Sequence, residues 1–526
     1  NRYNFTARNT THFLNDKLTL DIGAQYIVQN NKNMVSQGQY YNPLPSLYLF
    51  PRGDNFDEIR LYERYNTNYG YMEQYWPYGD ASLSLQNPYW IQNRINRTSN
   101  KKRYMMNASL KWQAADWLNV VGRVNLDNSD YRNKNEKSAS TLTTFCGVSG
   151  GFEDAMRQER SLYADFLANI DKTFGDFHLT ANVGASIYHT SMDQLYIAGD
   201  LVIPNFFQIN NINFSANYKP DPTGYEDEIQ SIFASAELSW KNQLYLTVTG
   251  RNDWDSKLAF SNQSSYFYPS VGLSAVLTEM VKLPEVISYA KIRGSYTVVA
   301  SSFDRFLTNP GYEYNSQTHN WANPTVYPMD NMKPEKTKSW EIGLNLKFWG
   351  NRFNLDATYY RSNTLNQTFK VDIPSSSGYK QAIVQAGNVQ NQGIELALGF
   401  SDKWAGFGWS SNATFTLNRN KVKRLASGSV NPVTGEAIQM DEMNVGWLGK
   451  ENVAPRVILT EGGSMTDIYV YNQLTKDNNG NIKVDQNGNL GITSSNTPVK
   501  VGNLDADFNL GWTNHFTYKG IDLGVV

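Results

Sequence analysis

Gly147-Val148-Ser149-Gly150-Gly151 has the G-x-S-x-G spacing with which hydrolases lift a serine nucleophile on a strand–turn–helix elbow. Acyl transfer at Ser149 would need a histidine and an acid as partners, on a helix-bearing scaffold. The motif instead lies in a long stretch between alternating segments, where a flexible Gly-rich loop is the expected reading. The five histidines, His12, His178, His189, His319 and His515, are scattered without metal-ligand spacing. Cys146 is the only cysteine, which excludes an intrachain disulfide and a thiolate metal cluster. No catalytic residue, cofactor or metal is therefore expected, and the chain reads as a non-enzyme.

Other stretches carry polar chemistry of a different kind. Residues 476–490, KDNNGNIKVDQNGNL, have the acidic and amide side chains of a calcium loop, but the sixth position from Asp477 is Ile482 where that loop needs glycine. A hairpin turning at Asn479-Gly480 or Asn487-Gly488 is the expected structure, with a cation site as the alternative. Arg251-Asn252-Asp253-Trp254-Asp255-Ser256 ends a strand. Either its charges form an inward ion-pair cluster gating a channel, or they anchor the strand end with Trp254 at a membrane interface. The segments 40–56 and 65–80 crowd Tyr, Trp, Phe and Pro among Asn and Asp. Flat aromatic walls with a few orienting polar groups suit a sugar or peptide site, and Tyr71, Tyr75, Trp76 and Tyr78 are the candidate ligand contacts. Packing of the loop on itself or on a partner protein would use the same residues.

The elements that position these segments are strands. Period-2 apolar sets recur throughout, among them Leu18-Leu20-Ile22-Ala24-Tyr26-Val28, Tyr104-Met106-Ala108-Leu110-Trp112, Leu244-Leu246-Val248 and Trp340-Ile342-Leu344-Leu346-Phe348, and no 3.6-residue pattern competes. The opposite faces are polar: Glu341, Asn345 and Lys347 on one strand, Asn354, Asp356 and Thr358 on the next. Couples of strands are joined by short connectors at 114–117, 173–176, 241–243, 349–352 and 518–520, whereas long polar segments separate the couples at roughly 31–100, 131–160, 191–228, 302–335, 364–391 and 421–503. Composition agrees, with 13% aromatic residues including 33 Tyr and 13 Trp, but only 40% hydrophobic. A net charge of −2, spread along the chain, proposes no nucleic acid.

Soluble sandwiches have short loops at both ends and strands of about 5–6 residues. Here the alternating runs reach about 9–13 residues, the length of a tilted bilayer crossing. No run of 18 apolar residues exists, so a membrane protein of this sequence must be a barrel. Turn asymmetry, polar inward faces and Trp at strand ends (Trp112, Trp117, Trp240, Trp340, Trp349, Trp409) point to an all-β, large antiparallel transmembrane barrel of the bacterial outer membrane. About sixteen strands are visible, the last beginning at Gly520. Residues 1–526 are expected to be part of one such barrel domain, an incomplete fragment whose signal and final strands lie outside it.

VTGRNDWDSKL (248–258), YFYPSVGLSAVLTE (266–279) and ISYAKIRGSYTVVAS (287–301) resemble the SusC/RagA-like TonB-dependent outer-membrane transporters of the Bacteroidota. MKPEKTKSWEIGLNLKFWGNRFNLDATYYRSNTLNQ (332–367) and AGNVQNQGIELALG (386–399) match the same family in order, so the resemblance covers most of residues 100–420. It implies a 22-stranded barrel, a plug inside it, an N-terminal segment that engages TonB, and a SusD-like surface lipoprotein as a lid. A dimer of transporter–lipoprotein pairs is one assembly consistent with it. Plug and TonB-contacting segment are not in this chain. The implied function is TonB-dependent import of an oligosaccharide or oligopeptide; the alternative is a surface-binding, adhesin-like barrel that moves nothing.

Overall fold

A computed structural model describes residues 1–34, 36, 38–213, 219–309, 311–315, 320–329, 332–426, 429–448 and 455–526. Among the described residues, seventeen strands are assigned to one sheet. One of them is the two-residue strand Val326–Tyr327, paired in parallel with Gln381 and Ala382. The other sixteen match the number legible from alternation. No helix among the described residues is long and apolar enough to cross a membrane, which is silent about strands.

The chain divides into two compact units. The first contains β1 (Arg2–Phe13), β2 (Leu18–Lys32), β3 (Ile95–Ala115) and β4 (Leu118–Lys137). It also takes the ends of β5 (Gly151–Phe174), β6 (Phe177–Asp200) and β7 (Lys219–Trp240) that lie at residues 151–168, 185–200 and 219–230. Registers β1–β2, β2–β3 and β3–β4 are antiparallel and set Leu20 against Leu110, and Met106 against Leu126. Side chains directly opposite share a face. That face carries Phe5, Ile22, Met106 and Trp112, all exposed, as lipid contact requires.

The second unit holds the remainder of β5–β7 with β8 (Leu244–Asp255), β9 (Tyr266–Val276), β10 (Ile287–Ser301), β11 (Glu335–Phe348), β12 (Phe353–Asp372), β13 (Gln381–Trp404), β14 (Phe407–Arg424), β15 (Asn509–Tyr518) and β16 (Ile521–Val525). From β10 to β15 the register lines up Ile292, Leu344, Ala357, Leu396, Phe415 and Leu510 in one row. One residue along, the opposite face reads Lys291, Asn345, Asp356, Ala397, Thr414 and Gly511. A shift of one residue would exchange these faces, so the register is strongly specified.

Several of the tight connectors are left-handed, as primed two-residue hairpins require. Lys241 and Asn242 have φ of 51° and 56°, Lys519 and Gly520 of 46° and 88°. Alternation alone did not single out two further turns of this kind, Leu14-Asn15-Asp16 and Ala405-Gly406. Strand length also departs from expectation: β5, β6 and β13 each run 24 residues and β3 runs 21. Residues 131–137 and 151–160, read as loop, are strand. Beyond the lipid both faces are polar, so alternation fades while the hydrogen-bonded ladder continues. The buried apolar clusters sit at these outer ends. Val371, Val384, Val422, Leu425 and Leu459 form one in the second unit; Trp90, Ile91 and Ile95 form one in the first.

Leu398 is 55% exposed on the lipid face of β13, and Asn412 of β14 lies on the opposite face, one residue from Leu398's partner Ala413. An arginine in hydrocarbon costs about 2–4 kcal/mol near the bilayer midplane. Leu398→Arg in the full-length protein is expected to lower folding into phospholipid vesicles by roughly that amount, and Asn412→Arg by far less. Urea titration of vesicle-inserted protein checks this.

Candidate functional site: the outer loops and the inward wall

The loop between β2 and β3 is a small folded body of the first unit. Asn42 caps the helix Pro43–Tyr48 by accepting from the Leu44 amide at 3.1 Å. Asn87 caps Pro88–Arg94 through the Tyr89 amide at 2.9 Å and donates its Nδ2 to the Ile59 and Tyr75 carbonyls. Trp90 is fully buried and its indole donates to Thr141 Oγ1 at 3.0 Å. Such anchors hold the aromatic side chains of this loop in fixed places.

Tyr71, Tyr75, Trp76 and Tyr78 have three different surroundings. Trp76 and Tyr78 meet edge to face at 5.0 Å, Tyr78 continues to Phe50 at 5.1 Å, and the Trp76 indole donates to the Gly79 carbonyl at 2.7 Å. Tyr75 lies under the Arg64 guanidinium, 3.5 Å from its ring centre. Tyr71 stacks on Tyr69 at 5.6 Å with planes 14° apart, and Tyr69 is 63% exposed. Trp76 and Tyr78 are thus brought together, while Tyr75 and Tyr71 each pair elsewhere.

The remaining motifs resolve into structure. Gly150 has φ +96°, and a Cβ there would meet the Lys137 carbonyl at 2.4 Å, while the Gly147 amide donates to Asp200 at 2.7 Å. The Gly-rich stretch is a packed turn, which corrects the expectation of a flexible loop. Burial pushes the neighbouring Cys146 thiol up to about 12, which keeps it protonated and unreactive at neutral pH. Asp477 Oδ1 accepts from the amides of Asn479 and Asn481, and Asp485 Oδ1 repeats the pattern with Asn487 and Asn489. The Asn481 and Asn489 side chains hold both carboxyls below the usual range. These are two successive Asx-type turns on Gly480 and Gly488. Among the described residues no group of three or more His, Cys, Asp or Glu side chains is placed to hold a metal. His319 lies outside the described residues.

Arg251, Asp253 and Asp255 share the inward parity of β8; Arg251 and Asp253 pair, while Asp255 accepts from the Lys257 amide and Ser302 Oγ. Arg251 donates to Asp253 at 2.7 Å and to Ser231 at 2.8 Å, and Tyr268 donates to Asp253 at 2.6 Å. Trp254 points the other way and is 40% exposed. Similar pairs recur along the inward faces: Arg123 with Asp165 in the first unit, Arg293 with Asp356 in the second. Arg293 reaches Asp356 by crossing β11 over Gly343, where a Cβ would stand 2.5 Å from the guanidinium carbon. Sequence reading offered an inward ion-pair cluster at Arg251, Asp253 and Asp255 and placed Asp356 inward, but did not pair Arg123 with Asp165 or Arg293 with Asp356. For Arg293 the signal was Gly343, facing it in register on the next strand.

Comparison with known proteins is decisive at this point. The family model described as TonB dependent receptor-like, beta-barrel matches residues 44–520. The chain belongs to that family. It is 22% identical over 417 residues to TonB-dependent receptor P3 of Formosa agariphila, covering 73% of this chain and 40% of that protein. With TonB-dependent receptor SusC of Bacteroides thetaiotaomicron it shares 25% identity over 311 residues, 56% of this chain and 30% of SusC. A structure of the RagAB peptide transporter superposes with a TM-score of 0.73 at 15% identity, over 99% of this chain and 57% of that one. The chain therefore spans less than half the length of these two curated relatives. These likenesses agree with the SusC/RagA-like resemblance, and they make this an outer-membrane β-barrel.

In this receptor chain the outer loop between β14 and β15 carries its own four-stranded sheet, Glu442–Trp447, Arg456–Thr460, Asp467–Leu474 and Ile492–Asn503. Asp467 is fully buried in it, accepting from Lys500 Nζ and Asn503 Nδ2, each at 2.7 Å, and from the Ser464 amide at 3.0 Å. Desolvation would raise its pKa, but the Lys500 ammonium and these hydrogen bonds prevail and hold it below the usual carboxylate range. A depressed folded-state pKa stabilises the loop above the unfolded value and loses that stabilisation as pH falls through the folded one. The loop is expected to open below about pH 4. Asp467→Asn should ease opening by about 1.5–3 kcal/mol at pH 7 and reduce the acid dependence, leaving the part that Asp477 and Asp485 supply. Hydrogen exchange of residues 464–503 measures both.

Proposed function

We propose that the chain forms the wall and outer loops of a TonB-dependent importer of an oligomeric nutrient. A glycan is the first choice of cargo and an oligopeptide the variant. A SusD-like surface lipoprotein covers the loops, and TonB acts through a part of the protein outside this chain. The observation that carries the reading is the pairing of an ordered, aromatic loop body with a polar inward wall in a member of this receptor family. Tyr71 is the direct contact, because its ring stacks beside the exposed Tyr69 and its hydroxyl already reaches the loop surface at the Val148 carbonyl. Tyr75, Trp76 and Tyr78 complete the platform, held by Arg64, Gly79 and Phe50. The structurally similar RagAB is a peptide transporter, which supports the oligopeptide variant.

Native mass spectrometry of the full-length receptor, extracted mildly from its own outer membrane, tests the proposal. The expected result is a co-purifying lipoprotein and a bound oligosaccharide or peptide mass. Tyr71→Ala should weaken that ligand roughly tenfold, equivalent to about 1.4 kcal/mol. A bare barrel that binds polymers in isolation, with no lipoprotein and no uptake by intact cells, would reverse the conclusion in favour of a surface-binding protein.

A further inference from the structure

The inward face of the first unit carries a depression far along the wall from the loop aromatics. Across β1, β2, β3 and β4 three successive inward rows read Thr10-Asp21-Ser109-Arg123, Arg8-Gly23-Asn107-Asn125 and Thr6-Gln25-Met105-Asp127. Gly23 brings no side chain to the middle row, and Asn107 leans over it, with Oδ1 2.4 Å from where a Cβ would stand. The dip belongs to a pocket of about 470 Å³, whose lining includes Gln25, Met105, Asn107 and Asn125, with Ser161 and Tyr163 from β5. One residue along from Gln25 and Met105, the paired Tyr26 and Tyr104 face the lipid side. Such amphipathic rings settle at headgroup level, and the short connector at 14–17 lies at the other end of β2. The pocket therefore sits near the outer end of the membrane-spanning wall.

Its polar groups are of two kinds. Both charged residues that line it are paired, Arg8 with Asp21 at 2.9 Å, and Asp127 with Arg103, whose Nε donates at 2.8 Å. Tyr163 gives its hydroxyl proton to Asp165 at 2.7 Å. The side-chain amides of Gln25, Asn107 and Asn125, by contrast, have no hydrogen-bond partner among the described residues. Three amides on three neighbouring strands, each able to donate and to accept, thus stand between two closed ion pairs. The backbone here is already committed, since β2 is laddered to β1 and β3, and β3 to β2 and β4.

We propose that this pocket is an inner subsite for one uncharged sugar unit of the imported oligomer. The proposal rests on the import reading above and selects the glycan from its two cargoes. A sugar hydroxyl donates and accepts at one oxygen, and an amide side chain does both with its two ends, so the two groups satisfy each other in any order. Asn107 and Asn125 are cross-strand partners, about 5 Å apart at Cβ, which lets them hold neighbouring hydroxyls of one ring. Met105 and Tyr163 supply the apolar part that a small-ligand pocket needs beside a few orienting polar groups. A peptide is refused twice. Its backbone could join by strand addition only at a free edge, which β2 and β3 lack. Its ionised side chains would meet charges that already have partners, and the same pairing disfavours an acidic sugar.

The test incubates the full-length receptor in mild detergent with a mixture of neutral hexose oligomers, or with the same oligomers oxidised at C6 to uronates, and reads retention by native mass spectrometry. The native receptor should retain the neutral oligomers and about tenfold less of the oxidised ones. Asn107→Ala combined with Asn125→Ala should retain about tenfold less of the neutral oligomers, as expected for two lost hydrogen bonds. Gly23→Ser keeps every amide but places a Cβ where Asn107 Oδ1 lies, and it should lose a similar amount. Asn107 and Asn125 are exposed, so the double change removes no buried contact, and an unaltered heat-induced shift of the barrel in electrophoresis verifies that each variant is folded. Equal retention by the native receptor and both folded variants overturns the proposal and leaves the import reading standing. A preference for the uronates also overturns it. Retention of no oligomer by the native receptor does so too, and uptake by intact cells then decides whether the import reading falls with it.

Discussion

A chain that crosses hydrocarbon must satisfy every backbone N–H and C=O within itself, because each unpaired group in lipid costs several kcal/mol. Everything else in this molecule depends on that requirement. It forces the crossing segments of each unit into hydrogen-bonded ladders, makes connectors at one end as short as two left-handed residues, and leaves length to accumulate at the other end. Once the ladder is fixed, alternation assigns each side chain to lipid or to the inward wall without further choice. Ile292, Leu344, Ala357, Leu396, Phe415 and Leu510 fall in one row because the hydrogen bonds do.

The parts of the fold legible in the sequence are those where this requirement meets lipid. There one face must be apolar and the other is free, so Leu18 to Val28 or Trp340 to Phe348 read as strands at sight. Outside the bilayer, water covers both faces and the constraint on side-chain type is lifted. Residues 131–137 of β4 and 151–160 of β5 continue the ladder in polar sequence, YRNKNEK and GFEDAMRQER, and only their backbone pairing shows them to be strand. The loop site was half legible for a related reason. A cluster such as Tyr71, Tyr75, Trp76 and Tyr78 announces that rings will pack, but which ring meets which depends on long-range anchors, Asn87 on Ile59 and Trp90 on Thr141. The GVSGG stretch misleads because spacing is local, whereas the close approach of Gly150 to Lys137 is tertiary.

Several inward charges are paired. Along the wall, arginine and aspartate neutralise each other at 2.6–2.9 Å, as with Arg123 and Asp165 or Arg293 and Asp356. Fixed pairs of this sort present hydrogen-bonding surface in which each guanidinium is neutralised by its own carboxylate. Gly343 serves the same end, since the absence of its side chain lets Arg293 lie flat across a strand. A larger residue there would lift the guanidinium from its partner and leave a free cation on the wall.

The outer ends invert the usual location of a protein core. In the membrane-spanning part of each unit, the apolar side chains are spent on lipid, so the buried clusters around Val384 and Trp90 arise above it, within loops. Loops that carry their own cores are ordered before any ligand arrives. Binding to an ordered aromatic surface avoids most of the entropy of fixing side chains, which otherwise consumes about 0.5–1.5 kcal/mol for each immobilised group. Buried Asp467 and the capped helices hold the loops in shape, which is what the binding role proposed for the loop aromatics requires.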